Sequence, residues 1–316
     1  MTQLSRRFLP ILLILPTLYF VFMFTVRPTY KVLNDSQEYY YPSRPDRVRP
    51  TDLQLPGIEE APRSLRGPHD VGWAYYRALF DPDTREGETF RQVMSNTTQY
   101  VLITVPISIL LAFVFAVLIN RPLRGIGLAR MAFFYPTMLP LVSAATIWIF
   151  FFTPEYGIWN TALRFFGYHG AENWVINPNL ALYSLMIVAI WKNAGYFMIF
   201  YLAGLQNLPD DVFEAADLDG ANWVQKMVYV TFPLLRRTTL FVSVIAILSA
   251  FQNIDHALVM TYELATGEAD LLLYEVYQQR FEFRNYGFAN TLTVIMILIL
   301  LTLTFTNFVL SERRGE

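Results

Sequence analysis

The chain has 316 residues, of which 54% are hydrophobic and only 16% are charged. Soluble globular proteins carry roughly 25% charged residues, so the composition indicates a protein largely embedded in a lipid bilayer. The formal net charge of −2 argues against nucleic acid as a partner, and the absence of Cys excludes disulfides, thiolate metal ligands and a thiol nucleophile.

The first apolar run covers Phe8–Val26 and follows Arg6 and Arg7. Its length suits a helix that crosses the bilayer. A cleavable signal peptide would end in small residues, whereas Arg27 and Pro28 follow this run. We therefore interpret it as a retained signal-anchor helix.

The next segment, 27–95, is rich in Pro, Arg and Asp and has no sustained apolar period before Val71–Phe80. This composition favours a long periplasmic loop, which either packs across the outer mouth of the protein or is partly mobile. One short amphipathic piece is predicted within it, near Trp73 to Tyr76.

Five further apolar stretches are long enough to cross about 30 Å of hydrocarbon as helices. They run over Tyr100–Ile119, Met131–Phe152, Leu180–Leu205, Leu240–Tyr262 and Ala289–Leu310. Prolines inside the spans are interpreted as kinks in continuous helices, because neighbouring helices can satisfy the freed carbonyls. These prolines are Pro16, Pro106, Pro136 and Pro140. The predicted fold class is an all-α membrane protein with six transmembrane helices.

Lys and Arg in the short flanks of the spans predict the orientation, because cytoplasmic flanks carry an excess of both. One set of flanks contains Arg6, Arg7, Arg121, Arg124, Arg130, Lys226, Arg236, Arg237, Arg313 and Arg314. The opposite set contains Arg164, Arg280 and Arg284. The first set is therefore predicted to be cytoplasmic, and both termini with it.

A polar stretch over Leu208–Arg237 separates the fourth span from the fifth on the cytoplasmic side. Pro209, Asp210 and Asp211 suit the first turn of a helix, because Pro needs no N–H partner there and acids favour the positive helix end. Val212, Phe213, Ala215 and Ala216 supply its apolar face.

The same stretch is expected to turn sharply at Gly220 and to continue as a second short helix. That helix would run from Asn222 towards Thr231 and would be stopped by Pro233. The predicted result is a helix–turn–helix at the membrane surface.

This stretch resembles the signature of the permease subunits of binding-protein-dependent ABC importers. The signature is E-A-A, three residues, G, nine residues, then I-x-L-P. Here it is Glu214-Ala215-Ala216, Gly220 and Val230-Thr231-Phe232-Pro233, with Val for Ile and Phe for Leu as the two departures. The Asp219-Gly220-Ala221 extension is similar to the carbohydrate-importing branch.

Other stretches agree with that branch, so the resemblance covers roughly residues 93 to 312. They are Asn96-Thr97, Trp191-Lys192, the exit from Ala203 to Pro209, and Tyr286 to Ala289. Thr266 to Asp270 departs from the T-x-G-G-P loop of many relatives, which leaves the periplasmic contacts of that loop open.

The resemblance implies a bacterial inner-membrane permease, one half of a heterodimer, that imports a sugar or sugar-like solute. A second permease subunit, two ATP-binding cassette subunits and a periplasmic solute-binding protein are the implied partners. The residues implied in coupling to the ATPase are Glu214, Ala215, Ala216, Asp219, Gly220 and Ala221.

The implied organisation has four parts. The cytoplasmic N-terminus and first helix cover 1–26, and the periplasmic loop covers 27–95. The five-helix permease core covers 96–312, with the coupling loop at 208–237, and a cytoplasmic tail covers 313–316.

No motif for chemistry is found in the chain, which is not expected to be an enzyme. It has no G-x-x-x-x-G-K-[ST] sequence, so ATP and Mg are expected to bind to partner subunits, and no cofactor is expected here. The residues His69, His169 and His256 lack the spacing of metal ligands, so no metal site is expected.

Polar residues inside the fourth and fifth spans are candidates for the substrate path, because facing lipid is costly for them. Amides, hydroxyls and aromatic faces suit sugars. The candidates are Lys192, Asn193, Tyr196, Gln252, Asn253 and Asp255, and the resemblance places Asn193, Tyr196, Gln252 and Asn253 on or next to the site. Hydrogen bonding between helices is the alternative role.

Two further alternatives concern the charged residues of these spans. Lys192 pairs with Asp255 in one interpretation and attracts an anionic solute in the other. The rival function is an ion-coupled secondary transporter that uses Lys192, Asp255 and His256, although such a transporter has no need of a cytoplasmic docking helix.

The orientation generates the first prediction. A reporter fused after Glu316 should show a cytoplasmic signal, and one inserted within Pro45–Pro68 should show a periplasmic signal. A matched pair of alkaline phosphatase and fluorescent-protein fusions measures both. A cytoplasmic signal from the loop would overturn the six-span topology.

Overall fold

The computed structural model describes residues 14–40, 68–120, 125–167, 170, 172–260 and 268–312. Several predicted features lie wholly or partly outside these ranges. They are the start of the first span (1–13), most of the long loop (41–67), residues 121–124 with two of the counted arginines, His169, the end of the fifth span and the start of the departing loop (261–267), and the tail (313–316).

The chain divides into two compact units, one of residues 1–90 with 275–299 and one of residues 91–274 with 300–316. In the first unit, residues 14–35 are helical (α1), with a π-helical stretch at Phe22–Val26 followed by Arg27–Asp35. Strands β1 (Glu38–Tyr40) and β2 (Pro68–Asp70) pair antiparallel. Helix α2 (Ala74–Phe80) confirms the short amphipathic piece, with Tyr75, Ala78 and Leu79 buried.

The described parts of the predicted loop pack on the start of the last long helix, within the same unit. A Cβ added at Gly287 would lie 2.1 Å from the Glu38 carbonyl oxygen and 2.7 Å from the Tyr75 ring, so only Gly fits there. Thr291 Oγ1 donates to Ser36 O at 3.1 Å. These contacts give a structural reason for the Tyr286–Ala289 motif.

Helix α3 (Arg85–Ile119) begins well before the predicted start at Tyr100. Gly87 N donates to Thr84 Oγ1 at 3.1 Å, and Glu86 and Glu88 lie in the first turn. A hydroxyl cap and acids at the positive end are the usual signals of a helix start. The polar sequence before the apolar run therefore extends the helix.

The remaining helices follow in chain order. They are α4 (Ile126–Met138), α5 (Leu141–Phe151), α6 (Ile158–Phe165), α7 (Pro178–Gln206), α8 (Asp210–Leu218), α9 (Trp223–Gln225, continued by the π-helical Lys226–Thr231 and by Phe232–Leu234), α10 (Arg236–Gln252), α11 (Asp255–Met260), α12 (Leu272–Tyr277, continued by the π-helical Gln278–Glu282) and α13 (Tyr286–Glu312). In the second unit, buried side chains of α3, α5, α7, α10 and α11 form the core.

The predicted third span, Met131–Phe152, is not one helix. It is broken between α4 and α5, whose axes differ by 103°. Leu139 has an extended ψ of 134°, because the residue before a proline is pushed out of the helical region. Pro140 itself has a ψ of 139°. Pro140 therefore ends the helix instead of kinking it.

The predicted fifth span, Leu240–Tyr262, also contains a break. Helix α10 ends at Gln252, and Asn253 has a non-helical ψ of 96° before α11 begins at Asp255. The break lies among the polar residues that the sequence singled out.

The part of the chain that the structure describes has four helices long and apolar enough to cross a membrane, with α10 and α11 counted together over Arg236–Met260, or five if α4 and α5 count as one bent span. The first predicted span begins outside the described residues. The count of six spans therefore stays a prediction.

Gly287 generates the second prediction. Gly287→Ala should lower the thermal stability, because the new methyl group meets a backbone oxygen that cannot move alone, and such overpacking costs about 1–3 kcal/mol. Gly127→Ala is the matched control, since this helical glycine has open space around its Cα. Thermal unfolding of the two purified variants, followed by tryptophan fluorescence, decides the prediction. Equal stability would mean that Glu38 does not lie against Gly287.

Candidate coupling loop and translocation face

Helix α8 opens the loop between α7 and α10, as predicted. Asp210 and Asp211 occupy its first turn, while Pro209 takes the N-cap position instead of the first turn. Ala216 is buried, whereas Glu214 and Ala215 are exposed. The helix thus rests on its Ala216 side and presents Glu214 to the outside of this chain.

Gly220 closes α8 with a left-handed φ of 74°. Gly220 N donates to Asp217 O at 3.0 Å, and Ala221 N donates to Ala216 O at 3.0 Å. This pair of bonds is a Schellman motif, which requires a residue with positive φ at that position. A Cβ at Gly220 would meet nothing within 4 Å, so the turn and not a close neighbour demands Gly.

The second helix of the loop begins as predicted, at Asn222. Gln225 N donates to Asn222 Oδ1 at 2.9 Å, and Asn222 N donates to Gln225 Oε1 at 2.8 Å. This reciprocal capping box satisfies two free N–H groups. Lys226 forms an ion pair with Asp217, which ties the second helix to α8 across the turn.

Pro233 does not stop this helix, contrary to the prediction. The helix continues through Phe232–Leu234 and ends only at Leu235. A π-helical stretch, Lys226–Thr231, comes directly before it. In an α-helix the proline ring would clash with the carbonyl four residues earlier, and the wider π turn relieves that clash.

The loop rests on the ends of the membrane helices. A cavity of about 160 Å³ lies between them, lined by Val117, Asn120, Leu205, Phe213, Trp223, Met227 and Thr231. Its walls come from α3, α7 and both helices of the loop. A displacement of the loop therefore bears on the ends of two long helices.

The candidates for the substrate path lie on α7 and at the break between α10 and α11. Asn193 is half-buried and Tyr196 is 40% exposed on α7, with the Tyr196 ring 5.4 Å from the Phe200 ring. At the α10–α11 break, Gln252, Asn253 and Asp255 are all exposed. All six candidates, Lys192 included, are thus accessible at least in part.

Lys192, the sixth candidate, contacts the protein backbone. Its Nζ donates to Pro136 O at 3.1 Å and also to Leu139 O. Among the described residues, Lys192 and Asp255 form no direct ion pair. His256, named in the rival interpretation, is fully buried, and its Nε2 lies 3.0 Å from Tyr100 Oη.

Several of these contacts were not predicted from the sequence. The Asp217–Lys226 ion pair and the Tyr100–His256 contact join residues nine and 156 positions apart. The only local signal for the Lys192 contact is Pro140, which leaves carbonyls without helical partners. Asn96, noted for its resemblance, donates to the carbonyl oxygens of Glu268 and Asp270 at 3.0 and 3.1 Å.

Comparison with known proteins supplies the context. Residues 85–314 match the family described as binding-protein-dependent transport system inner membrane component. The arabinooligosaccharides transport system permease protein AraP of Halalkalibacterium halodurans is 27% identical over 310 residues, which cover 97% of this chain and 89% of the relative. The sulfoquinovosyl glycerol transport system permease protein SmoG of Agrobacterium fabrum is 30% identical over 234 residues, which cover 74% of each.

A solved structure agrees with the fold. It is that of a bacterial alginate ABC transporter in complex with an alginate pentasaccharide-bound periplasmic protein. One of its chains aligns with a TM-score of 0.76 at 19% identity, with 99% of this chain and 97% of that chain covered. At this identity the likeness shows the fold alone.

The Schellman motif generates the third prediction. Gly220→Val should weaken the turn, because a left-handed conformation costs an L-residue about 1–2 kcal/mol, whereas Gly220→Asn should be tolerated. Hydrogen exchange at the amides of residues 220 and 221 should then be about 5- to 30-fold faster in Gly220→Val than in Gly220→Asn. Equal exchange in the two variants would contradict the role assigned to the turn.

Proposed function

Because this chain belongs to the family of inner membrane components of binding-protein-dependent transport systems, we propose that it forms half of the path of an ATP-driven importer for a sugar or sugar-like solute. The observation that carries the proposal is the geometry of the loop. An exposed Glu214 lies on a short helix that a Schellman motif, a capping box and an ion pair hold to its neighbour. Such a helix is suited to docking against another protein.

The proposed assembly has a second permease subunit beside this chain and two ATP-binding cassette subunits below it. ATP and Mg bind to those subunits, and a periplasmic binding protein delivers the solute. The relatives that are named for arabinooligosaccharides and sulfoquinovosyl glycerol support the carbohydrate class, and the complex with an alginate-loaded periplasmic protein supports the delivery route.

Coupling proceeds through the loop. Glu214 accepts charge-assisted hydrogen bonds from an ATPase subunit, while Ala215, Asp219, Gly220 and Ala221 complete the docked surface. Ala216 anchors the helix from behind. When the ATPase subunits close on ATP, the loop moves as one body and reorients the membrane helices, which opens the path to the other side.

The path runs along the polar face of α7 and the α10–α11 break. Asn193, Tyr196, Gln252, Asn253 and Asp255 are not sealed inside this chain, and at bilayer depth they would be costly against lipid. They therefore face a cavity shared with the second permease subunit. Amides bind sugar hydroxyls, and the Tyr196 ring packs against C–H faces.

The chain lies in the bacterial inner membrane with both termini in the cytoplasm. That orientation follows from the distribution of Lys and Arg. The ion-coupled alternative receives no support, since Lys192 bonds to backbone carbonyls and His256 contacts Tyr100. Neither side chain is free to carry ions along a path.

Glu214 provides the fourth prediction and tests the function. Glu214→Ala should leave the complex assembled and lower solute-stimulated ATP hydrolysis and uptake by about 10- to 100-fold, as expected for the loss of hydrogen bonds to a charged group worth about 1.5–3 kcal/mol. Asp210→Ala, another exposed acid on α8, is the matched control and should stay within about twofold, the usual effect of a surface substitution.

The measurement uses the complex that co-purifies with this chain, reconstituted in liposomes with its binding protein. Stimulation by a neutral oligosaccharide is compared in the wild type and the two variants. Undiminished stimulation in Glu214→Ala would refute the coupling role. A chain that purifies without any ATPase subunit would refute the proposed assembly.

A further inference from the structure

The break between α4 and α5 creates a problem that the chain solves with a distant residue. The last carbonyls of a helix have no partner within it, and lipid offers none. Leu139 N donates to Pro136 O with a long 3.4 Å contact, and Pro140 has no N–H to donate. Two carbonyl oxygens at the end of α4, those of Pro136 and Leu139, thus need further donors.

Lys192 on α7 supplies them. Its Nζ contacts both oxygens, and an ammonium group has three hydrogens to give. A cation at this place also lies at the negative end of the α4 dipole. One side chain therefore meets the hydrogen-bonding need and the electrostatic need of the break.

The backbones of α4 and α7 are close enough for this contact because of Gly195. A Cβ at Gly195 would lie 2.2 Å from Phe133 O and 3.6 Å from Thr137 Cγ2. Gly195 is three residues after Lys192, so both residues lie on the same side of α7. The same face that allows the close approach also carries the cation.

We propose that Lys192 is a positioning residue that caps the end of α4 and holds the broken span bent. Two of its three ammonium hydrogens are thereby directed to the backbone of the broken span. The charged side chain at the α10–α11 break is the exposed carboxylate of Asp255, which lies beside the exposed amides of Gln252 and Asn253.

The angle of the broken span can be measured directly, because the chain contains no Cys. Spin labels on cysteines introduced at Leu128 and Phe150, both exposed on opposite arms of the break, report the distance across it. At 1.5 Å per residue and a change of axis of 103°, the backbone separation is about 20 Å, against about 33 Å for a straight helix. The experiment uses the full complex in lipid nanodiscs, with any cysteines of its partners replaced.

Lys192→Met should give a broader and longer distance distribution, because the two carbonyls lose their donor. Lys192→Gln, which is uncharged and shorter, should shift the distribution in the same direction by a smaller amount. Lys192→Arg should keep the wild-type distance, since it keeps a cation with several donors. Lys31→Met is the matched control, because it removes the same charge from an exposed position.

A second measurement separates positioning from solute contact, and it rests on the proposed function. In the reconstituted complex, Lys192→Met should lower the maximal solute-stimulated ATPase rate at least fivefold and leave the half-saturating solute concentration within twofold. Tyr196→Ala, at a proposed contact, should instead raise that concentration. Lys192→Arg should restore the maximal rate.

A wild-type distance distribution in Lys192→Met or Lys192→Gln would overturn the proposal. So would a rise of tenfold or more in the half-saturating concentration for Lys192→Met with the maximal rate unchanged, which would make Lys192 a solute contact. If the wild-type complex shows no solute-stimulated ATPase, the proposed function fails, and the distance measurement still decides the role of Lys192.

Discussion

Inside a bilayer every backbone N–H and C=O must find its partner within the protein, because lipid supplies none. The structure interrupts two of its membrane helices, and each interruption lies beside polar side chains. Lys192 serves the carbonyls at the α4–α5 break. At the α10–α11 break, Asn253 N still donates to Ser249 O at 2.9 Å, and the buried His256 contacts Tyr100. The need to supply hydrogen-bond partners to the backbone at the two breaks thus also brings polar side chains together at bilayer depth.

That concentration links the polar face to the cytoplasmic loop. Helix α7 carries Asn193 and Tyr196 and runs directly into the loop, while α10 follows the loop and ends at Gln252, next to Asn253. The loop is therefore the covalent connection between the two helices that bear the polar face. The loop is held together by the Schellman motif, the capping box and the Asp217–Lys226 pair. Because these bonds make the loop rigid, a displacement of α8 is transmitted to both helices.

The sequence was a good guide where the signal is local. Apolar length located α3, α7, α10 and α13, and Gly220 and Asn222 located the turn and the cap of the loop. It was a poor guide where the local structure depends on a residue far away in the sequence. Pro106 and Pro136 lie inside continuous helices, whereas Pro140 ends one. Nothing near Pro140 in the chain distinguishes these outcomes, because the donor for the freed carbonyls is Lys192, more than fifty residues later. The exposure of Gln252 and Asn253 likewise depends on the α10–α11 break, which the apolar sequence on either side does not predict.

The glycines of α7 explain how Lys192 comes close enough to contact the carbonyls at the end of α4. Apolar attraction does not drive helices together in lipid, so close packing depends on small residues that let backbones approach. Gly195 lies against Phe133 O of α4, and a Cβ at Gly204 would lie 2.8 Å from Leu235 and 2.9 Å from Thr238 Oγ1 at the start of α10. One helix therefore packs tightly against the broken span at one level and against the exit of the loop at another. A side chain at Gly195 would push α4 away from Lys192, and a side chain at Gly204 would push the start of α10 away from α7. Helix α7 therefore links motion of the loop to bending of the broken span.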